Sequence, residues 1–271
     1  MLIRWRVALH TLLRIFSHAD HHESKKLSSE QMGNSCIKHL KDSGITLLAF
    51  DADDTLWDCQ GHFNDVEESY CRLLSCFADK QEIASSLFSM ETKNMPLLGY
   101  GSKAFTISLV ENAIKVSGGK VSCDTLTQII GLGKSLLNMP ATPLPGVVKT
   151  LKALHDSGRY KMVVFTKGDN LDQENKFKRS GLSPFFDDCI VVADKTTHEY
   201  EHLCRLFNVR IDQLCMVGNS FKSDILPVLH LGGYAIYVPY ELQWEMEKAE
   251  EGGYYPRLLR ATSFSDILDL V

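Results

Sequence analysis

The chain has 271 residues, with 29 Lys and Arg against 34 Asp and Glu, a formal net charge of −5. At roughly 100–200 residues per domain this is one large domain, or one domain carrying an insertion. The 44% hydrophobic and 23% charged content is globular and excludes disordered, collagen-like and low-complexity architectures.

In chain order, Met1 to Phe16 holds three arginines and no acid, with an amphipathic pattern. It reads as a targeting segment or as a variable amphipathic extension; the break at Arg14 and the lack of a small-residue cleavage site argue against secretion. Ser17 to Ser35 is polar and reads as a linker, in which His18, His21 and His22 are expected to be solvated rather than metal-bound. Residues 1–42 are accordingly set apart as an N-terminal extension.

Ile45 to Phe50 is a continuous apolar run between Gly44 and Asp51, as expected of a strand buried on both faces of a parallel sheet. Similar runs follow at Lys161–Phe165, Cys189–Val192, Leu214–Val217 and Tyr234–Val238, separated by helix-length amphipathic segments such as 171–180 and 199–207. Strands and helices alternating in this way predict an α/β fold with a doubly wound parallel sheet. The alternation is interrupted over 61–142, which read as helices: Phe63, Val66, Tyr70, Leu73, Leu74 and Phe77 share a face, as do Phe105, Leu109, Ala113 and Val116, and more loosely Leu126, Ile129, Ile130 and Leu137. Pro140, Pro143 and Pro145 close that stretch. The expected organisation is a core of 43–60 and 143–271 with a helical insertion after the first strand.

No lysine- or arginine-rich stripe is present, which argues against nucleic acid as a partner. No apolar run reaches the ~18 residues of a membrane span. The eight cysteines form no Cys-x-x-Cys pair and several lie inside apolar runs, a pattern of buried free thiols in a reducing, cytoplasmic compartment.

Ligands of parallel α/β sheets bind at the carboxyl ends of strands, and here those ends are polar. They read Asp51-Ala52-Asp53-Asp54-Thr55, Thr166-Lys167-Gly168-Asp169, Ala193-Asp194-Lys195 and Gly218-Asn219-Ser220-Phe221-Lys222-Ser223-Asp224. Carboxylates gathered from different strands repel one another unless a cation sits among them, and oxygen donors favour a hard ion such as Mg²⁺. A hydroxyl, a lysine and free backbone N–H groups suit phosphate oxygens. Lys195 alone also reads, less well, as a surface lysine opening a helix. Asp54 and Asp58 are expected in a solvated turn, and Lys176 and Lys178 on a solvated helix face. Gly99-Tyr100-Gly101-x-Lys103 is either a plain turn or a loop facing substrate, and Gly232-Gly233 a turn between helix and strand.

These four segments, in this order, resemble the four motifs of the haloacid dehalogenase superfamily, over residues 43 to 245, and the helical stretch stands where that superfamily carries its type 1 cap. The resemblance implies that Asp51 is the nucleophile and Asp53 the general acid and base. It implies that Thr166 and the Lys167 N–H bind phosphoryl oxygens and that Lys195 neutralises charge. Asp51, the Asp53 carbonyl, Asn219 and Asp224 would hold Mg²⁺. The fourth motif usually begins Gly-Asp, and Asn219 in place of aspartate supplies an oxygen without a charge. Asp53 favours phosphate-ester hydrolysis over dehalogenation, since halide leaves without a proton. The expected activity is hydrolysis of a small phosphomonoester metabolite. A phosphotransferase or mutase of the same fold, or a catalytically weak binding module, remains the alternative, and the sequence does not give the oligomeric state.

Overall fold

Leu47–Phe50, strand β1, is buried at every residue because both faces of it are covered. Leu48 and Phe50 point into one apolar layer, Leu47 and Ala49 into the other, the period-2 alternation of a strand. The computed structural model describes residues 39–242, 244–247, 249 and 252–271, so the amphipathic start and His18, His21 and His22 lie outside the described residues. The sheet adds β2 (Lys161–Lys167), β3 (Asp188–Val192), β4 (Leu214–Gly218), β5 (Tyr234–Tyr237) and β6 (Leu258–Arg260), in the order β3-β2-β1-β4-β5-β6. Every pairing is parallel. The expected strands are all present, and the sequence pattern missed β6. That edge strand is only three residues long with a single fully buried side chain, too short for any periodicity to register.

Four helices lie between β1 and β2: α1 (Gln60–Leu74), α2 (Lys80–Leu98), α3 (Ser102–Val116) and α4 (Cys123–Leu136). Helices α2 and α4 begin where a side chain accepts an otherwise unpaired backbone N–H: Asp79 from Glu82 at 2.8 Å, and Ser122 from Thr125 at 3.0 Å. The insertion has an apolar core of its own, in which Val66, Tyr70 and Leu74 of α1 meet Phe105, Leu109 and Ala113 of α3. The buried Tyr70 hydroxyl donates to the Leu109 carbonyl at 3.0 Å and accepts from Asn112 Nδ2 at 2.9 Å, so its polar end adds no unpaired group. On α4 the expected face is shifted: Ile129 and Leu136 are buried, while Ile130 is 38% exposed. Chain entry and exit run side by side, because Trp57 bridges to Asp53 and Pro143, and the Leu144 N–H donates to the Leu56 carbonyl at 2.9 Å.

After the insertion, α5 (Val147–Ser157) places Val147, Leu151 and Leu154 against the β1 face that carries Phe50. Helix α6 (Asn170–Ser180) follows β2, and α7 (Thr197–Phe207) puts Tyr200, Leu203 and Cys204 on the opposite face. The core is therefore a sheet between two helical layers, a doubly wound α/β fold. Among the described residues no helix is long and apolar enough to cross a membrane.

Candidate active site

The chain winds outward from β1 to β2 and β3, then returns to start β4 on the other side of β1. Neighbouring loops therefore diverge at β1 and β4 and leave a crevice beyond their carboxyl ends. Phe50 is level with Val164 and with Val217, so the residues that follow β1, β2 and β4 emerge together.

Asp51, Lys195 and Asp224 meet there. Lys195 Nζ lies 2.5 Å from Asp51 Oδ1 and 2.6 Å from Asp224 Oδ1, and all three side chains are buried. Asp224 is delivered by a π turn at Phe221–Ile225, which Ser220 opens by accepting the Ser223 N–H at 3.0 Å. Asp224 Oδ2 accepts the Ser220 N–H at 2.9 Å. The carboxylate sits against Gly218 so closely that a Cβ there would lie 2.2 Å from Oδ2, which is why the strand ends in glycine. The Thr55 hydroxyl lies 3.2 Å from Asp51 Oδ2 and 3.1 Å from Asn219 Oδ1, donating to one of them at a time. It also accepts the Asn219 N–H at 3.1 Å, tying the ends of β1 and β4 together. Thr166 is buried at the end of β2 and lines the same cavity.

Asp53 is held apart from this cluster, on the α6 side. Lys176 Nζ lies 2.7 and 2.8 Å from its two oxygens, Gln173 Nε2 donates at 2.7 Å and Trp57 Nε1 at 2.8 Å. The expectation of a solvated face for Lys176 is thus wrong: it is buried, because α6 turns that position toward the end of β1, while Lys178 is exposed beside Glu174 as expected. Asp54 is not solvated either. It adopts a left-handed backbone (φ 62°) and accepts N–H groups of Cys59 and Gln60 at 2.8 and 2.9 Å, fixing the start of α1. Asp58 accepts from the Tyr240 hydroxyl at 2.9 Å and is half-buried rather than free in solvent. Lys103 does not face the cavity; it pairs at 2.9 Å with Asp169, the residue that caps α6. Its neighbours Gly99, Tyr100 and Gly101 do line the cavity.

The Lys167 side chain forms a second cluster. Its Nζ reaches Glu247 at 2.5 Å and Ser223 Oγ at 2.8 Å, and sits 4.0 Å from the centre of the Tyr100 ring. Glu247 also accepts from Ser220 and Ser223 at 2.6 and 2.7 Å.

Electrostatics separates the acids. Burial, and then the facing Asp224 carboxylate, push Asp51 up to about 7, because one Lys195 charge does not balance two buried carboxylates. Burial also works to raise Asp53, but the Lys176 charge and the bonds from Lys176, Gln173 and Trp57 outweigh it and hold the carboxyl below its ordinary value. Lys195 is shifted up: its two carboxylate partners overcome a burial penalty that alone would lower it. For Glu247 the Lys167 contact and the two serine hydroxyls more than cancel burial, giving about 2.

A family model for haloacid dehalogenase-like hydrolases matches residues 45–232. The chain belongs to that family. It is similar to the solved structure of a haloacid dehalogenase-like family hydrolase from Xanthomonas campestris, 31% identical, with a TM-score of 0.74 over 85% of this chain and 92% of that one. A glyceraldehyde 3-phosphate phosphatase from Methanothermobacter thermautotrophicus is 32% identical over 47% of this chain and 57% of its own length. A pyrimidine 5'-nucleotidase from Escherichia coli is 29% identical over 37% of this chain and 48% of its own. The chain therefore spans about half the length of these two relatives.

In this haloacid dehalogenase-like hydrolase the donors at the crevice suit Mg²⁺. The cavity, of about 180 Å³, is lined by eight carboxyl groups and three lysines, and Lys167, Lys176 and Lys195 are each already paired with an acid. Among the described residues no cluster of three or more His, Cys, Asp or Glu side chains is placed to hold a metal. The available set is carboxylate, amide and carbonyl oxygen, which Mg²⁺ completes with water and phosphate. Thr55, Gln173, Lys176, Ser223 and Glu247 were absent from the expected site. Thr55 and Ser223 stand inside the strand-end segments without an assigned role, and Gln173 and Lys176 share a face of α6 at i, i+3, a spacing readable in advance.

Proposed function

We propose that the protein is a Mg²⁺-dependent phosphatase that hydrolyses a small phosphomonoester metabolite through a phosphoaspartyl intermediate. The observation that carries this reading is the buried Asp51–Lys195–Asp224 cluster at the β1/β4 crevice, opening into one cavity. The named activities of the two phosphate-ester-cleaving relatives support it.

In this reading an Asp51 carboxylate oxygen attacks phosphorus as the ester P–O bond breaks, and the leaving oxygen takes a proton from Asp53. Water then attacks the phosphoaspartate, Asp53 takes its proton, and phosphate departs with Asp51 regenerated. Thr166 and the Lys167 N–H hold phosphoryl oxygens, and Lys195 offsets the negative charge that builds on them. Asp51, the Asp53 carbonyl, Asn219 and Asp224 would hold Mg²⁺, which supplies charge neutralisation at the phosphoryl group. The contacts of Asp53 favour its second role, since a carboxyl held low takes up a proton in advance only rarely.

The unit spanning α1 to α4 serves as the cap, with 61–142 as its extent and 43–60 and 143–271 as the core. Its closure excludes bulk water from the crevice. A cytoplasmic setting agrees with the seven free cysteines among the described residues. Asn219 is the observation that favours a second reading, a weakly catalytic binding module. Phosphate release from an aryl phosphate, measured with Mg²⁺ and with chelator, decides between them. Metal-dependent release that disappears in Asp51→Asn supports the phosphatase; undiminished release in Asp51→Asn removes its nucleophile; and no release from folded protein with metal leaves the binding module.

A further inference from the structure

The cavity continues from the crevice into the helical insertion. Its far wall is built from residues at helical spacing: Phe63 and Glu67 of α1, Glu91 and Met95 of α2, and Phe105 of α3. Glu67 and Glu91 are half-buried acids of different helices facing one enclosed space. Among the described residues neither has an ion-pair partner. The cation nearest in effect is Lys80, which only partly relieves Glu67. Burial, and then the charge of Glu67, push Glu91 up to about 8. Two acids placed together on the wall of an apolar-rimmed cavity destabilise the empty cap, and packing alone gives no reason for them.

An independent observation points the same way. Asp172 and Gln173, each 4% exposed, line the same cavity. Asp172 Oδ2 accepts from Ser102 and Gln173 Nε2 donates to Asp53, yet Asp172 Oδ1 and Gln173 Oε1 have no donor. Buried acceptors without donors are costly and uncommon. Across the cavity lining, then, carboxyl groups outnumber lysines eight to three, and each of those lysines is already paired with an acid.

We propose that Glu67 and Glu91 form the subsite for the alcohol portion of the substrate, and that the preferred phosphomonoesters carry a protonated primary amine on that portion. An ammonium supplies three donors and one positive charge to a cavity in which each lysine is already paired with an acid. Phe63, Met95 and Phe105 cover the carbon atoms between amine and phosphate. A polyol would satisfy acceptors but bring no positive charge to the crowded pair of acids. This inference rests on the phosphatase reading above.

The test compares matched substrates that differ only in amine against hydroxyl. These are ω-aminoalkyl and ω-hydroxyalkyl phosphates of increasing chain length, and glucosamine 6-phosphate against glucose 6-phosphate, with an aryl phosphate as reference. The expected result is at least one pair in which the amine is favoured by about tenfold or more in kcat/KM, the worth of a charge-assisted hydrogen bond. In Glu67→Gln/Glu91→Gln, shown folded by its melting curve, that ratio falls toward one. Equal turnover within every pair, a preference for the hydroxyl member, or an amine preference that survives the double substitution overturns the subsite. If the aryl phosphate is hydrolysed and no amine-bearing substrate is, the phosphatase stands and this inference fails. If the aryl phosphate is also inert, the phosphatase reading fails and takes the subsite with it.

Discussion

Among the described residues Asp53 and Lys176 are each other's only opposite charge at hydrogen-bond distance, with Lys176 buried and the Asp53 side chain 25% exposed. Removing Lys176 leaves Asp53 without its counter-charge but still partly solvated and bonded to Gln173 and Trp57. Lys176→Met is therefore expected to lower the free energy of unfolding by about 1–3 kcal/mol in urea titrations. Asp53→Asn/Lys176→Met, which removes both charges of the pair, recovers most of the loss; equal instability in single and double variants would show that the pair is not the cause. The same geometry makes a kinetic statement about Asp53. A nitrophenolate leaves without protonation, whereas hydrolysis of the phosphoenzyme still needs a base. Asp53→Asn should then release a burst of nitrophenolate and turn over about 10²–10⁴-fold more slowly afterwards. A rapid-mixing trace without a burst, with release slow from the start, would place Asp53 in the first step.

Glu91 on α2 belongs to the element scale, because its environment is made by the packing of α1 against α2. Its carboxyl moves from 4.5 to about 8 on folding, so the folded chain holds a proton there that the unfolded chain has already lost. The contribution of Glu91 to stability is intact below about pH 4.5 and is lost as pH rises toward 8. Glu91→Gln is expected to leave the melting temperature unchanged near pH 4 and to raise it increasingly up to pH 8. A pH-independent change in calorimetry would contradict the burial assigned to it. Elements also explain what was legible in advance. Five strands declared themselves because a strand covered on both faces must be apolar throughout, and the polar residues just past them marked the crevice. The edge strand β6 and the shifted face of α4 lacked that clarity, the one through brevity, the other because its amphipathic stripe is loose. Lys176 and Glu247 were hidden for a different reason. A lysine 123 residues away from its aspartate looks like any surface lysine until the fold brings α6 against the end of β1, and Glu247 lies in a segment with no periodic pattern at all.

For the whole molecule the cavity sets an electrostatic problem: eight carboxyl groups and three lysines must receive a phosphate dianion. Binding a divalent cation answers it, and anything that binds the folded chain alone stabilises it. Mg²⁺ is expected to raise the melting temperature, chelator to reverse the gain, and Asp224→Asn to weaken it; a melting curve indifferent to Mg²⁺ would remove the cation from the account. The fold, the crevice and the four motif segments were all readable from the sequence, whereas the charge balance of the cavity needed the insertion packed over the sheet. The central claim concerns one oxygen of one residue. The most direct measurement is rapid acid quench during turnover of an aryl phosphate, followed by peptide mass spectrometry of the segment containing Asp51. The account predicts one phosphoryl group on Asp51 in the wild type, accumulating further in Asp53→Asn and absent in Asp51→Asn. Steady turnover with Asp51 never modified, or with the phosphoryl group on another residue, would contradict it.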